Sequence, residues 1–183
     1  MNVKNSRISS VSVKTIVVSI CLLFLFNIGY SQNSDSVFLA KNAFYLDLAS
    51  EGAYYSLNYD RIFHQGDKLN YSCRIGFSIF NEIVALPFGI NLLTGKENHH
   101  IEFSITFMPY IEEFKSFLSK NDLSDKYLYI LTGIGYRYQK PEGGFYLKTA
   151  FLPMLILDPA SSDFWKMDPE FKVGLSIGAG WSF

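Results

Sequence analysis

The last thirteen residues of the sequence alternate strictly between apolar side chains and small or polar ones. Apolar residues occupy every second position from Phe171 to Phe183, and Lys172, glycine and serine fill the positions between them. Strict alternation with a period of two predicts a β-strand with one apolar and one polar face. The segment is about twice as long as the usual strand of a soluble domain. The chain is therefore expected to adopt a fold built from long strands.

Seven further segments repeat this pattern, and short polar turns separate many of them. The turns near 64–67, 94–98 and 140–144 contain glycine, and the last also places a proline before two glycines, a strong hairpin signal. Recurrence of the alternation across most of the chain predicts an all-β fold, an eight-stranded antiparallel up-and-down transmembrane β-barrel. The predicted strands cover residues 42–50, 53–62, 68–80, 83–92, 99–109, 126–139, 144–154 and 171–183.

The N-terminal residues are interpreted as a cleavable signal peptide that precedes the barrel. A basic leader is followed by an uncharged apolar stretch over 15–28, and Gly29 and Ser31 are small enough for a cleavage site before Gln32. We expect three parts in the chain. They are a signal peptide at 1–31, a short N-terminal segment at 32–41 and an outer-membrane β-barrel at 42–183.

Charge and composition narrow the classes of function. Removal of the predicted signal peptide leaves 13 basic and 17 acidic residues, a formal charge of −4, so no basic patch for nucleic acid is expected. Cys73 is then the one remaining cysteine, which excludes an intrachain disulfide. Aromatic residues make up 17% of the chain, and no later segment is apolar enough for a spanning helix. This combination suits a barrel.

Alternation alone does not show which face of each strand points into the barrel, because a soluble lipocalin-like carrier alternates equally well. The polar face consists mostly of small residues with isolated charges, whereas a soluble exterior would be rich in lysine and glutamate. We therefore assign the polar face to the interior and the apolar face to lipid. The alternate strand positions that this assignment turns inward are said to have interior parity. Charged residues at these positions are expected to form a salt-bridge network that fills the barrel, rather than an ion path. They are Asp47, Asp60, Arg74, Glu102, Arg137, Lys148 and Lys172.

The sequence predicts no enzyme activity, no cofactor and no metal. Residues 174–178 match the G-x-S-x-G pattern of serine hydrolases, but the alternation continues through them and no acidic residue or histidine follows. Their glycines are interpreted as space inside the barrel. His64, His99 and His100 lie in or beside predicted turns, and adjacent strand residues point to opposite faces, so a shared metal ion is not expected.

Two longer connections, near 110–125 and 155–170, are expected at the outer end and are the most plausible working surface. The first has helical spacing of apolar residues, which fits either an interfacial helix or a loop folded over its own barrel. The second exposes large apolar side chains among acids, as a contact for a partner or for lipid headgroups would. The candidate contacts are Phe114, Phe117, Phe164 and Trp165.

Three segments resemble those of small outer-membrane barrel proteins: SLNYDR at 56–61, PFGINLLTGK at 87–96 and GYRYQKPEGG at 135–144. The resemblance covers essentially the whole mature chain, and the general architecture is similar to the OmpA and OmpX transmembrane barrels. It implies a Gram-negative outer-membrane location and transfers no catalytic residue. The ending at Trp181 and Phe183 resembles the closing strand of such barrels, in which a terminal Phe is read by the assembly machinery.

The expected function is that of a small outer-membrane β-barrel with a structural or interaction role through its long outer loops, without catalysis. Two alternatives remain open, an outer-membrane lipid-modifying or lipid-binding barrel and a secreted lipocalin-like carrier. The expected partners are outer-membrane lipid, the barrel-assembly machinery, and an unknown protein or surface ligand at the loops, with no nucleic acid.

Overall fold

The part of the chain that the structure describes is built from nine β-strands. A computed structural model describes residues 38–48, 54–95, 97–114, 118, 125–158 and 168–183, and the predicted signal peptide at 1–31 lies outside them. Within the described residues, no helix has the length and hydropathy needed to cross a membrane. The strands are β1 (Asn42–Leu48), β2 (Tyr55–Gln65), β3 (Leu69–Phe80), β4 (Ile83–Ala85), β5 (Phe88–Thr94), β6 (His99–Ile111), β7 (Lys126–Gln139), β8 (Gly144–Asp158) and β9 (Asp168–Ser182).

The strands close into a barrel because β1 pairs with β9 as well as with β2. Consecutive strands pair with each other, except β4 with β5, and all the pairings are antiparallel. β4 and β5 both lie between β3 and β6, so together they make one of eight barrel strands. The prediction of an all-β, eight-stranded antiparallel up-and-down barrel is therefore confirmed.

The pairing register is staggered around this barrel. The line of paired residues that starts at Phe44 on β1 crosses the intervening strands and reaches β9 at Phe171. Phe44 itself pairs with Trp181, which is ten residues further along β9. Strands in barrels of this kind tilt by about 40°, and eight strands enclose an interior that side chains fill.

The fourth barrel strand is broken, whereas the sequence predicted one strand over 83–92. β4 ends at Ala85 and β5 begins at Phe88. Pro87 lies in the break, where it has no N–H to donate to a neighbouring strand. Its carbonyl still accepts the backbone N–H of Gly76 on β3 at 2.6 Å, so the chain stays attached to the sheet.

β8 and β9 are longer than the sequence predicted. They extend to Asp158 and back from Asp168, so part of the predicted connection near 155–170 is strand. β1 ends at Leu48, opposite Ile177. The first half of β9 therefore pairs with β8 and has no neighbouring strand on its other side among the described residues.

The predicted short turns lie together at one end of the barrel, which we call the short-turn end. Gly143 donates its N–H to the carbonyl of Lys140 at 3.1 Å and has a φ of 98°, a conformation that favours glycine. At this end Asn42 and Phe183 exchange backbone hydrogen bonds of 3.0 and 2.8 Å. The opposite end, which carries the β6–β7 and β8–β9 connections, is the long-loop end.

Side chains alternate between the interior and the outer surface along the strands. In β3 and β6 nearly every second residue is buried, and the residues between them are exposed. Large exposed hydrophobic side chains occur on every barrel strand, among them Phe44, Ile75, Phe103 and Leu175. Many of the buried residues are polar or charged. The barrel is thus apolar outside and largely polar inside, which is the reverse of a soluble protein.

Candidate functional site

The centre of the barrel interior holds a cluster of buried ion pairs, which we call the interior charge network. Arg137 on β7 contacts Asp60 on β2 at 2.7 Å and Glu102 on β6 at 3.2 Å. Lys148 on β8 contacts the second oxygen of Glu102 at 2.5 Å. Three consecutive strands, β6, β7 and β8, and the distant β2 therefore bring these charges together, and all four side chains are almost fully buried.

Neutral polar side chains form further hydrogen bonds with the charged groups. Asp60 accepts hydrogen bonds from Ser72 at 3.1 Å and from Asn91 at 2.7 Å. Arg137 donates its Nε hydrogen to Gln139 at 2.9 Å, and its guanidinium lies 4.8 Å from the ring centroid of Tyr146. A buried charge is costly unless it is paired and hydrogen-bonded, and this arrangement meets both conditions.

Arg74 and Asp47 form a second layer of the interior charge network. Arg74 on β3 lies 3.8 Å from the carboxylate of Asp47 on β1 and donates to Thr106 at 2.5 Å. It also approaches the hydroxyl of Tyr45 at 3.4 Å. With this pair, three acidic and three basic side chains balance one another inside the barrel.

Lys172 does not belong to the interior charge network, although the sequence placed it there. Its side chain is 53% exposed and pairs with Glu170 on the same strand at 3.1 Å. Lys172 has interior parity because it lies opposite the buried Met154 of β8. It lies, however, in the part of β9 beyond the end of β1 at Leu48, where the described barrel wall is open on one side.

The short-turn end of the interior is crossed by residues 38–41, a segment that we call the N-terminal strap, in which the side chains of Phe38 and Ala40 are buried. Phe38 is 0% exposed and packs against Ile62 and Leu93. Its ring centroid lies 5.4 Å from that of His100. The side chain of Gln65 accepts the Phe38 N–H at 2.9 Å and donates to the Phe38 carbonyl at 3.2 Å. The strap therefore inserts an aromatic plug into the barrel.

Backbone hydrogen bonds hold the strap across the short-turn end. The N–H groups of Leu39 and Ala40 both donate to the carbonyl of Pro141, at 3.0 and 2.9 Å. Gln139 donates its side-chain amide to the carbonyl of Ala40 at 3.0 Å. The sequence analysis assigns residues 32–41 only to a short N-terminal segment, in which an apolar run at 37–40 has no periodic pattern.

The long-loop end of the interior is closed by a second apolar cluster. Its buried members are Ala85, Met108, Tyr110, Leu131 and Met154. Tyr129 packs against this cluster, with its ring stacked on Tyr110 at a centroid distance of 5.1 Å. The interior charge network thus lies between two apolar layers of the described barrel.

The predicted loop contacts fall largely outside the described residues. Phe117, Phe164 and Trp165 belong to that undescribed part. Phe114 is half-buried, and its backbone N–H donates to the carbonyl of Glu82 at 2.8 Å. The start of the β6–β7 connection therefore lies against the turn between β3 and β4.

Metal-binding side chains do not form a site among the described residues. Within the described residues, no group of three histidine, cysteine, aspartate or glutamate side chains could hold a metal ion. His99 faces outward and contacts the hydroxyl of Tyr136 at 2.6 Å, whereas His100 is buried beside the strap. Ser176 lies within β9, where the strand continues without the sharp turn that a nucleophilic serine of the G-x-S-x-G type requires.

The outer surface between β7, β8 and β9 carries a shallow, open depression of about 420 Å³. Apolar side chains dominate its lining, including Ile134, Phe151 and Leu175. Such a lining suits hydrocarbon better than a polar substrate, which would need convergent hydrogen-bonding groups.

Comparison with known proteins does not assign this chain to a family. No family model matches the sequence, and neither curated proteins nor solved structures gave a match.

Proposed function

We propose that this protein is a small outer-membrane β-barrel with a structural or interaction role through its long outer loops, and without catalysis. The observation that carries the proposal is the inverted polarity of the barrel. Charged side chains such as Arg137 and Asp60 are buried, and large apolar side chains on each of the eight barrel strands are exposed. Burying apolar surface is favourable by roughly 25 cal/mol per Å². A bilayer provides that burial for a surface that the protein itself leaves open.

Aromatic side chains near the short-turn end support an interfacial position for that end. Outward-facing aromatic residues form girdles at both membrane interfaces of transmembrane barrels. At the short-turn end the outward positions near the strand termini carry such residues on several neighbouring strands. They are Tyr71, Tyr136, Tyr138, Phe145, Trp181 and Phe183.

The filled interior favours a structural scaffold over a carrier or a general pore. A lipocalin-like carrier needs an apolar cavity inside the barrel, whereas the centre of this interior contains the Arg137 ion pairs and their polar partners. A pore needs a continuous aqueous path, whereas Phe38 and the cluster around Met108 occupy the two ends. The long-loop end then offers the accessible surface for a partner.

The proposal is tested by cell fractionation followed by gel electrophoresis with and without boiling. We expect the protein in the outer-membrane fraction, and we expect unheated samples to migrate differently from boiled ones, because a closed barrel resists unfolding by detergent. A soluble periplasmic protein without a heat shift would overturn the membrane location. Reproducible lipase or protease turnover by the pure refolded protein would overturn the non-enzymatic role.

A further inference from the structure

Arg61 is a cation on an otherwise apolar outer face. Among the outward positions of the described strands, Arg61 and Lys126 are the only ones occupied by lysine, arginine, aspartate or glutamate. Lys126 is the first residue of β7, at the long-loop end. Arg61 instead lies within β2 and is exposed. Its position needs a separate explanation, because an arginine on the lipid face of a barrel is costly away from the interface.

The register places Arg61 close to the short-turn end. It pairs with Asn42, the first residue of β1, and Asn42 in turn pairs with Phe183 through backbone hydrogen bonds. Along β2 the next outward residue is Phe63, and the strand ends two residues later at Gln65. A long arginine side chain reaches from this level to the membrane surface, with its stem on apolar neighbours and its head in the polar region.

The polar groups next to Arg61 are engaged with one another. Tyr59 donates its hydroxyl hydrogen to the side-chain oxygen of Asn42 at 2.8 Å, and the Asn42 amide donates to the carbonyl of Phe183 at 3.3 Å. On the other side Arg61 pairs in register with Cys73, which is exposed and uncharged as a thiol. Within the described part of the chain, the Arg61 guanidinium has neither an ion pair nor a side-chain hydrogen bond.

We propose that Arg61 binds the phosphate of a phospholipid in the leaflet at the short-turn end. A guanidinium matches a phosphate group through two parallel N–H donors, and such charge-assisted hydrogen bonds are roughly twice as strong as neutral ones. The outward side chain of Phe44, which pairs with Tyr59 on the deeper side of Arg61, would contact the upper part of the acyl chains. This inference rests on the proposed membrane location and adds a lipid-binding site to it.

The test is native mass spectrometry of the purified barrel in detergent micelles with added phosphatidylglycerol. Arg61→Gln is expected to weaken lipid binding about tenfold or more, as the loss of a charged hydrogen-bonding partner does. Arg61→Lys keeps the charge without the two-pronged geometry, so it should lie between the wild type and Arg61→Gln. Lys140→Gln is the matched control, because it removes a cation from a turn at the same end and should bind lipid as the wild type does.

Each result distinguishes the proposed phospholipid site at Arg61 from binding that does not depend on Arg61 and from binding of free phosphate. Equal lipid binding by the wild type and Arg61→Gln, or equal losses in Arg61→Gln and Lys140→Gln, would overturn the site. Displacement of the lipid by inorganic phosphate at similar concentrations would overturn the assignment to phospholipid. All variants are first checked for the heat shift on gels. Absence of that shift in the wild type would overturn the membrane location as well, whereas intact shifts with unchanged lipid binding would overturn only the phosphate site.

Discussion

At the residue scale, Arg137 links the interior charge network because it contacts Asp60 and Glu102 at the same time. Arg137→Met should lower the free energy of unfolding by about 3–5 kcal/mol, the usual cost of removing one partner from a buried ion pair. The loss arises because two carboxylates remain in the interior with fewer partners. Urea titration of the refolded barrel in detergent micelles, followed by tryptophan fluorescence, measures the change.

Lys172→Met provides the control for Arg137→Met, because the sequence assigned both residues to the same network. Lys172 is half-exposed and pairs with Glu170 near the end of the β8–β9 hairpin, and exposed ion pairs contribute little to stability. The unfolding midpoint of Lys172→Met should therefore match that of the wild type. Comparable losses of unfolding free energy in both variants would show that the interior charge network extends to Lys172. That result would contradict the exposed position of its side chain.

Gly180 is a second residue on which the packing of the interior depends. A Cβ at this position would overlap the carbonyl oxygen of Phe44 and the backbone of Tyr45. Gly180→Ala should therefore reduce the fraction of protein that shows the heat shift after refolding. Gly174→Ala is the control, since its Cβ would meet first the flexible end of Met154, which can move. Equal refolding yields for the two variants would contradict the close approach of β1 and β9.

The sequence predicts which side chains point into the interior better than it predicts which residues they contact there. Asp60, Glu102 and Arg137 have interior parity, and period-two alternation is a local property that can be read without a structure. Lys172 has the same parity but lies beyond the end of β1. Its exposure depends on the stagger between strands, which is set by pairings far apart in the sequence.

At the scale of single elements, the N-terminal strap closes the barrel with one side chain. Phe38 is 0% exposed between Ile62 and Leu93, whereas its neighbour Leu39 is 77% exposed. Phe38→Ala should cost about 3–5 kcal/mol of unfolding free energy, the range for large-to-small changes at buried phenylalanines. Leu39→Ala removes an apolar side chain one position away and should leave the urea midpoint unchanged.

Equal midpoints for Phe38→Ala and the wild type would contradict the insertion of the strap. The contact was not predictable from the sequence, because no periodic pattern covers residues 38–41 and the partners of Phe38 lie on β2, β5 and β6. The long strands were predictable because each repeats its pattern many times. The break at Pro87 was predictable only in part. Proline shows that a backbone N–H is missing from the sheet, but it does not show whether the strand continues on its other side.

At the scale of the whole molecule, the interior and the outer surface have different consequences for stability. The interior contains paired charges between two apolar layers, so its contribution depends on specific contacts such as those of Arg137. The outer surface carries exposed apolar side chains on each of the eight barrel strands, so its contribution to stability depends on the solvent around it. Contact of these side chains with lipid is favourable, whereas their exposure to water would promote aggregation.

Leu175→Arg tests this dependence on the solvent directly. Leu175 faces outward, is 67% exposed and lies at the middle of β9. In a bilayer the substitution should cost about 2–4 kcal/mol, the range for arginine near the midplane on the lipid face of a barrel. Phe171→Arg, nearer the long-loop end, should cost only about 0–1 kcal/mol because the penalty falls toward the interface. Urea titrations in lipid vesicles compare the three proteins. Equal unfolding free energies for Leu175→Arg and the wild type would mean that this face contacts water.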